Sequence, residues 1–354
     1  MPKVICVSTD DPSTRVTQEE VKQFAEDVFS GRRSNIARLL PVFEHADISA
    51  RYFTEEREWY GRNHGFAERD ELYIKSATKM AASCATKCLA SSGIMAQDID
   101  HVIFVSSTGI STPSIDARLF NILEFNPHIK RTPIWGLGCA GGAAGLSRAL
   151  EYTMAFPDQV VLLIAIELCG LTFQKDDLSK SNLIGTSLFA DGSAAALITG
   201  DGYPLPYHHG VNLIGSLSTT YHDSLDVMGW DVADSGLKVI FSKDIPTIIA
   251  ECLKPNIEEF AARWFLDMKQ IRHYVVHPGG MKVIQAYEES LGLHDGTLRF
   301  SRKVLREHGN MSSPSVLYVL KEFMESGEYS TGEYGLISAL GPGFSSELIL
   351  FRTS

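Results

Sequence analysis

Short unbroken apolar runs along the chain, at 99–107 (IDHVIFVSS), 159–168, 194–199, 211–217 and 273–276, predict buried strands. Between them lie segments whose apolar residues recur every third or fourth position, and these predict helices. The first, 16–29, has Thr17 as its cap and Glu20 three residues on, a capping-box spacing. A second, 72–92, is long, rich in small residues and stopped by Gly93. Further helices are predicted at 115–123, 183–189 and 245–265, whereas 51–66 and 226–234 read as irregular. The stretch 132–150, TPIWGLGCAGGAAGLSRAL, passes from a β-rich run through glycines into an amphipathic helix that continues to about residue 155. Strands alternating with helices in this way predict an α/β fold.

The two halves of the chain repeat one another. A shift of 171 residues sets Cys139 on Asn310 and lays GCAGGAAGLSRALEYTM over GNMSSPSVLYVLKEFME. The same shift, without a gap, sets VIFVSSTG (102–109) on HYVVHPGG (273–280), so that His277 matches Ser106. With a slightly different shift VVLLIAIELCG resembles YGLISALGPG, and GSAAALI resembles FSSELIL. A duplicated α/β unit accounts for all four matches, with 1–205 as the first copy and 206–354 as the second.

Composition changes this picture only by exclusion. The 354 residues, 44% hydrophobic and 21% charged, are those of an ordinary globular chain. A formal net charge of -11 without a basic cluster argues against nucleic acid or an anionic membrane as partner. The apolar run at the N-terminus is too short for a signal peptide, and no stretch approaches the roughly 18 apolar residues of a membrane span, so a cytoplasmic location is expected. Six cysteines lie scattered without zinc or disulfide spacing. Cys84 and Cys88 share a helix face and read as core.

Candidate chemistry centres on Cys139. A thiol at a helix start meets free N–H groups and the positive dipole end, which favour the thiolate. Its small neighbours, Gly138 and Ala140 to Ala144, leave room for a carbonyl substrate and for backbone donors to a developing oxyanion. Cys139 therefore reads as a covalent nucleophile. Two other readings stand beside it. Gly136, Gly138 and Gly141 spell the G-x-G-x-x-G of a nucleotide-binding loop, with Glu167 near the end of the next apolar run; alternatively, the thiol simply packs on a glycine turn. In the second copy, His277 is a turn residue before Pro-Gly-Gly, and Asn310 is a plausible helix cap. If the copies pack about a pseudo-two-fold axis, Cys139, His277 and Asn310 converge across it.

The segments VSSTGISTPSIDARL, KRTPIWGLGCAGGAAGL, LTFQKDDLSKSNLIGTSLFADG, VVHPGG, GNMSSPSVL and GPGFSSE stand in this order between about Val4 and Phe351. With them the chain resembles the type III polyketide synthases, the chalcone synthase-like branch of the thiolase superfamily, and most of all the bacterial alkylpyrone-forming members. The resemblance implies a duplicated, five-layered αβαβα thiolase-like fold and a homodimer. It implies a Cys139–His277–Asn310 triad that condenses an acyl-CoA with malonyl-CoA, with coenzyme A carried on the substrates and no metal, nucleotide or redox cofactor. It also implies that Phe189 gates the coenzyme A tunnel, that Thr112 stands where plant enzymes reach across the dimer with methionine, and that Val239 replaces a second active-site phenylalanine. Thr172, Gly185 and Gly229 are implied as cavity lining, Ser312 and the turn Gly341-Pro342-Gly343 as site residues, and Leu340 takes the place of a phenylalanine before that turn. Aliphatic walls suit a long acyl chain, cyclised to an alkylpyrone or a resorcinol. Arg33, Arg38, Arg51 and Lys282 are candidates for the coenzyme A phosphates. The nearest rival within this superfamily is a 3-oxoacyl-[acyl-carrier-protein] synthase III-like enzyme, which also uses Cys, His and Asn.

Overall fold

The computed structural model describes residues 1–30, 32, 36–204, 210–242 and 245–354. The boundary between 205 and 206 and the candidate Arg33 lie outside the described residues. Thirteen strands are formed: β1 (Lys3–Asp10), β2 (Thr14–Thr17), β3 (Ala50–Phe53), β4 (His101–Val105), β5 (Lys130–Ile134), β6 (Val160–Leu168), β7 (Asp191–Thr199), β8 (Val211–Thr220), β9 (Met228–Ala233), β10 (Gly236–Phe241), β11 (Ile271–Val276), β12 (Tyr334–Gly341) and β13 (Ser345–Thr353).

Nine of them make one sheet in the order β5-β4-β6-β7-β1-β8-β13-β12-β11. From β4 inward the pairings run parallel, antiparallel, antiparallel; from β11 inward they run the same way, and the two series meet where β1 pairs antiparallel with β8. Apart from edge strand β5, which has no counterpart, the sheet is palindromic about that seam.

Helices Gly141–Ala155 and Ser315–Ser326 pack against each other and touch strands of both series, so they form a central layer. Helix Phe66–Ser92 covers the outer face of β1, β6 and β7, and helix Ile245–Arg263 touches β13 on the other side, giving α, β, α, β, α layers. Both faces of each strand series are thereby covered, which is why β6 is continuously apolar from Val160 to Ile166 rather than alternating. Val161, Leu163 and Ala165 point into the central core, and Val160, Leu162 and Ile164 into the outer one with Tyr73, Cys84 and Cys88. Among the described residues no helix is long and apolar enough to cross a membrane.

Local signals match at the first helix, Gln18–Phe29, where Thr17 and Glu20 form the capping box, and at Gly93, which ends Phe66–Ser92 with φ +72°. Three expectations need correction. The segment 51–66 is not irregular throughout: it begins in β3, which pairs antiparallel with β2, and Arg57–Tyr60 forms a short helix. The segment 226–234 is not irregular either: β9 pairs antiparallel with β10 across Asp234 and Ser235, a hairpin disguised by the half-exposed residues of its first strand. The repeat is also inexact, because the segment preceding Asn310 is helix Arg299–His308, whereas β5 precedes Cys139.

Candidate active site

Edge strand β5 delivers the chain to a single 3-10 turn, Gly138–Ala140, from which helix Gly141–Ala155 starts, and Cys139 sits buried in that turn. The glycines have specific work. Gly138 has φ +45°, and a Cβ there would lie 2.8 Å from Pro342 Cδ; a Cβ on Gly142 would lie 2.2 Å from the Ser313 carbonyl oxygen. The backbone N–H groups of Gly136 and Gly138 both donate to Ser107 Oγ, at 3.2 and 3.1 Å. These contacts oppose the nucleotide-loop reading: the N–H groups of Gly136 and Gly138 are taken by Ser107, and Gly138 and Gly142 are packed against the second half of the chain.

The second half carries the other two residues of the expected triad. His277 continues from the end of β11, its N–H donating to the Ser338 carbonyl at 2.8 Å, and both ring nitrogens are buried without a hydrogen-bond partner. Asn310 is held by its backbone between Leu188 and Ala190, at 2.9 Å to each. Its Oδ1 accepts from Ser312 N–H at 2.8 Å and its Nδ2 donates to the Gly279 carbonyl at 3.1 Å. The acceptor side of the amide is therefore occupied, and one N–H is left to face the thiol. Ser312 adopts φ +58°, and Ser312 and Asn310 are the polar side chains that favour the thiolate form of Cys139. A Cβ on Gly341 would lie 2.4 Å from the Leu137 carbonyl oxygen, so the 341–343 turn closes tightly over the nucleophile turn.

Burial governs the electrostatics, and it corrects the expected easy ionisation of Cys139. The thiol is pushed up to about 11, first by desolvation and further by the charge of Glu167, against opposing hydrogen bonds from Ser312 and Asn310. Desolvation pushes His277 down to about 3. The resting site thus holds a thiol and a neutral imidazole rather than a preformed ion pair, because one short helix start does not outweigh the loss of water around a buried charge.

Glu167, seen in the sequence only as an acid closing an apolar run, ties the two halves together. Its Oε2 accepts from Ser107 N–H and Thr108 Oγ1, both at 2.8 Å, and its Oε1 accepts from Ser313 Oγ at 2.8 Å. Desolvation raises it to about 7 despite these bonds. A charge inside a strand buried on both faces was the signal that could have found it.

Beside the site lies a narrow cavity of about 90 Å³. Four predicted residues line it, Thr172, Gly185, Phe189 and Val239. Phe189 joins it to the triad region through its backbone bridge with Asn310. The remaining wall comes from residues that the sequence reading did not single out, among them Val21, Phe24, Phe53 and Phe173. Gly229 is outside this lining, on β9 opposite Ile240, and Thr112 is exposed in the loop after β4. Arg51 is no phosphate ligand: it is fully buried, donating from Nη1 to the carbonyls of Thr186 and Phe189 at 2.7 and 2.9 Å and from Nη2 to Gln18 Oε1 at 2.7 Å. It fixes the backbone beside Phe189. Arg38 and Lys282 are exposed.

Known proteins match this chain along nearly its whole length. Residues 5–202 match the model of the chalcone and stilbene synthase N-terminal domain, and 216–354 that of the C-terminal domain. A Bacillus subtilis protein that carries a provisional chalcone synthase name is 46% identical, with 98% of each chain covered. The 1,3,6,8-tetrahydroxynaphthalene synthase of Streptomyces peucetius is 32% identical over 99% of this chain and 92% of its own. The crystal structure of the corresponding Streptomyces coelicolor enzyme, a bacterial type III polyketide synthase, superimposes with a TM-score of 0.94 at 29% identity, covering 99% of both chains. The Cys139 turn, His277, Asn310 and the nine-stranded sheet thus sit in a chain that belongs to the chalcone and stilbene synthase family, the type III polyketide synthases.

Proposed function

We propose that this enzyme loads a long-chain fatty acyl group from its coenzyme A thioester onto Cys139, extends it with malonyl-CoA and releases alkylpyrones. The observation that carries this reading is the cavity beside Phe189, whose walls are chiefly aliphatic and aromatic side chains. With Val239 and Gly185 in place of bulkier groups, it accommodates a flexible chain better than a flat aromatic starter.

The chemistry follows from the resting protonation states. Cys139 and His277 each resist ionising alone, since burial penalises a single charge. Moving the thiol proton to the imidazole creates two charges that offset one another, so His277 acts as general base while the sulfur attacks the thioester carbonyl and coenzyme A departs. Malonyl-CoA then enters. The imidazolium has by then returned its proton to the departing coenzyme A thiolate, so as carbon dioxide leaves, the N–H of the neutral imidazole and the free N–H of Asn310 donate to the enolate oxygen, and the carbanion attacks the acyl-cysteine. The active unit is a homodimer: the loop after β4 and the end of edge strand β5 expose Ile110 and Trp135, 46% and 53% accessible, which a second copy would cover.

Mass spectrometry of products from malonyl-CoA with short, long and aromatic acyl-CoA starters tests this reading. Alkylpyrones from the long starters are expected. Products made from malonyl-CoA alone, or only from aromatic starters, would overturn the substrate assignment. Cys139→Ala should lose extension yet retain malonyl-CoA decarboxylation, whereas Asn310→Ala should lose decarboxylation by about 10²-fold or more.

A further inference from the structure

The cavity is unequal at its two ends. Its inner end, at Cys169, Gly170 and Thr172, is buried. Its outer end reaches the surface beside the first helix, where Glu20 and Arg57 are exposed. The carboxylate of Glu20 is turned back onto Thr17, accepting from its N–H and Oγ1 at 2.7 Å each, so it does not reach across the opening.

Phe24 is the large side chain at this end. The helix Gln18–Phe29 buries Val21, Ala25 and Phe29, which leaves Phe24 on its flank, half-buried and lining the cavity. Its ring lies 5.6 Å from that of Phe173, and the Arg57 guanidinium sits 5.8 Å from its centroid. Arg57 in turn pairs with Asp27, which lies about one turn beyond Phe24 on the same helix. Arg57 and Asp27 are 45% and 53% exposed, so their attraction is weak in water and screened by salt. An aromatic ring held by a surface ion pair can swing where a core residue cannot.

Resting on the reading of this cavity as the acyl site, we propose that Phe24 closes its outer end and sets the longest acyl chain the enzyme accepts, with the Arg57–Asp27 pair as the latch. A short chain ends before the ring. A longer one presses its methyl end against Phe24 and loads only when the latch gives.

The test is acyl loading of Cys139, followed by intact-protein mass spectrometry, with octanoyl-CoA and stearoyl-CoA as probes. Phe24→Ala should raise the stearoyl-to-octanoyl rate ratio by at least about tenfold, and Phe24→Trp should lower it. Asp27→Asn, which leaves the cavity wall intact, should move the ratio the same way as Phe24→Ala and remove its dependence on salt; melting temperatures establish that each variant is folded. An unchanged ratio in both Phe24→Ala and Asp27→Asn overturns the proposal, as does a parent enzyme that takes up neither chain. Adding malonyl-CoA separates this from the proposed function: a ratio that responds to Phe24 without any pyrone supports the closure and sinks the alkylpyrone reading.

Discussion

Replacing Glu167 by glutamine should uncouple the stability of this enzyme from pH across the physiological range. The carboxyl is completely buried and held at about 7, against an ordinary 4.5. Between those values the unfolded chain releases a proton that the folded chain retains, so this group stabilises the fold fully below pH 4.5, and that contribution is lost as pH rises through 7. The difference corresponds to about 3 kcal/mol. Glutamine does not titrate. Its amide oxygen can take the bonds from Ser107 N–H and Thr108 Oγ1, and its NH₂ can face Ser313, whose hydroxyl rotates to accept. Urea unfolding of parent and variant from pH 4.5 to 8 measures the effect as a difference, in which Asp191, raised to about 6, and His277, lowered to about 3, largely cancel. The variant should gain on the parent by about 3 kcal/mol over that range, mostly between pH 5 and 7. Parallel curves would refute the reasoning, because they would mean that Glu167 ionises in the fold as easily as in water. Glu167→Ala provides the contrast: it strands the donors of two loops and should cost about 2–4 kcal/mol at pH 4.5, a cost that shrinks as pH rises through 7 because alanine, like glutamine, does not titrate.

Three further outcomes follow from the same geometry. With Cys139 pushed up to about 11, its alkylation by iodoacetamide at pH 7 depends on His277 taking the proton; His277→Gln should slow it by about tenfold or more and move the inflection toward pH 11, and an unchanged profile removes His277 as the base. Gly138→Ala puts a Cβ 2.8 Å from Pro342 on a backbone at φ +45°, and should lower stability by about 1–3 kcal/mol together with acyl loading, read by calorimetry and intact mass. Ile110→Asp with Trp135→Glu should convert a dimer to a monomer in analytical ultracentrifugation, and a sedimentation coefficient equal to the parent's would exclude that face.

What could be read from the sequence was whatever a short stretch decides by itself. The capping box at Thr17, the stop at Gly93 and the two-sided burial of β6 are local consequences of residue type and spacing. The β9–β10 hairpin escaped because its first strand, MGWDVA, is half-exposed, and its pairing depends on a neighbouring strand rather than on its own apolarity. The cavity wall escaped for a related reason. An aromatic such as Phe24 looks the same in sequence whether it fills a core or faces a void, and only the packing of three distant segments separates the two. The protonation of Cys139 was misjudged because the helix start is visible in sequence, whereas the burial that overrides it is assembled from the other half of the chain.

The duplication explains why two equivalent halves build one reacting centre. Equivalent positions face each other across the seam, but chemistry survives at only one of each pair. His277 ends β11 with both ring nitrogens unpartnered, while its counterpart Ser106 is saturated by structure, accepting from Tyr73 Oη at 2.8 Å beside Glu167. The helix start at 139 carries a thiol, whereas the matching turn at 310 carries an amide whose oxygen is tied down by Ser312. A nucleophile needs a base and a donor from outside its own turn, and on the proposed mechanism the second copy of the unit supplies both, as His277 and Asn310. Glu167 then fixes that spacing by accepting simultaneously from Ser107 and Thr108 of the first half and Ser313 of the second. The residue that unites the halves is thus neither nucleophile, base nor donor, and its removal should disturb loading and decarboxylation together, in contrast to the separate losses expected for Cys139→Ala and Asn310→Ala.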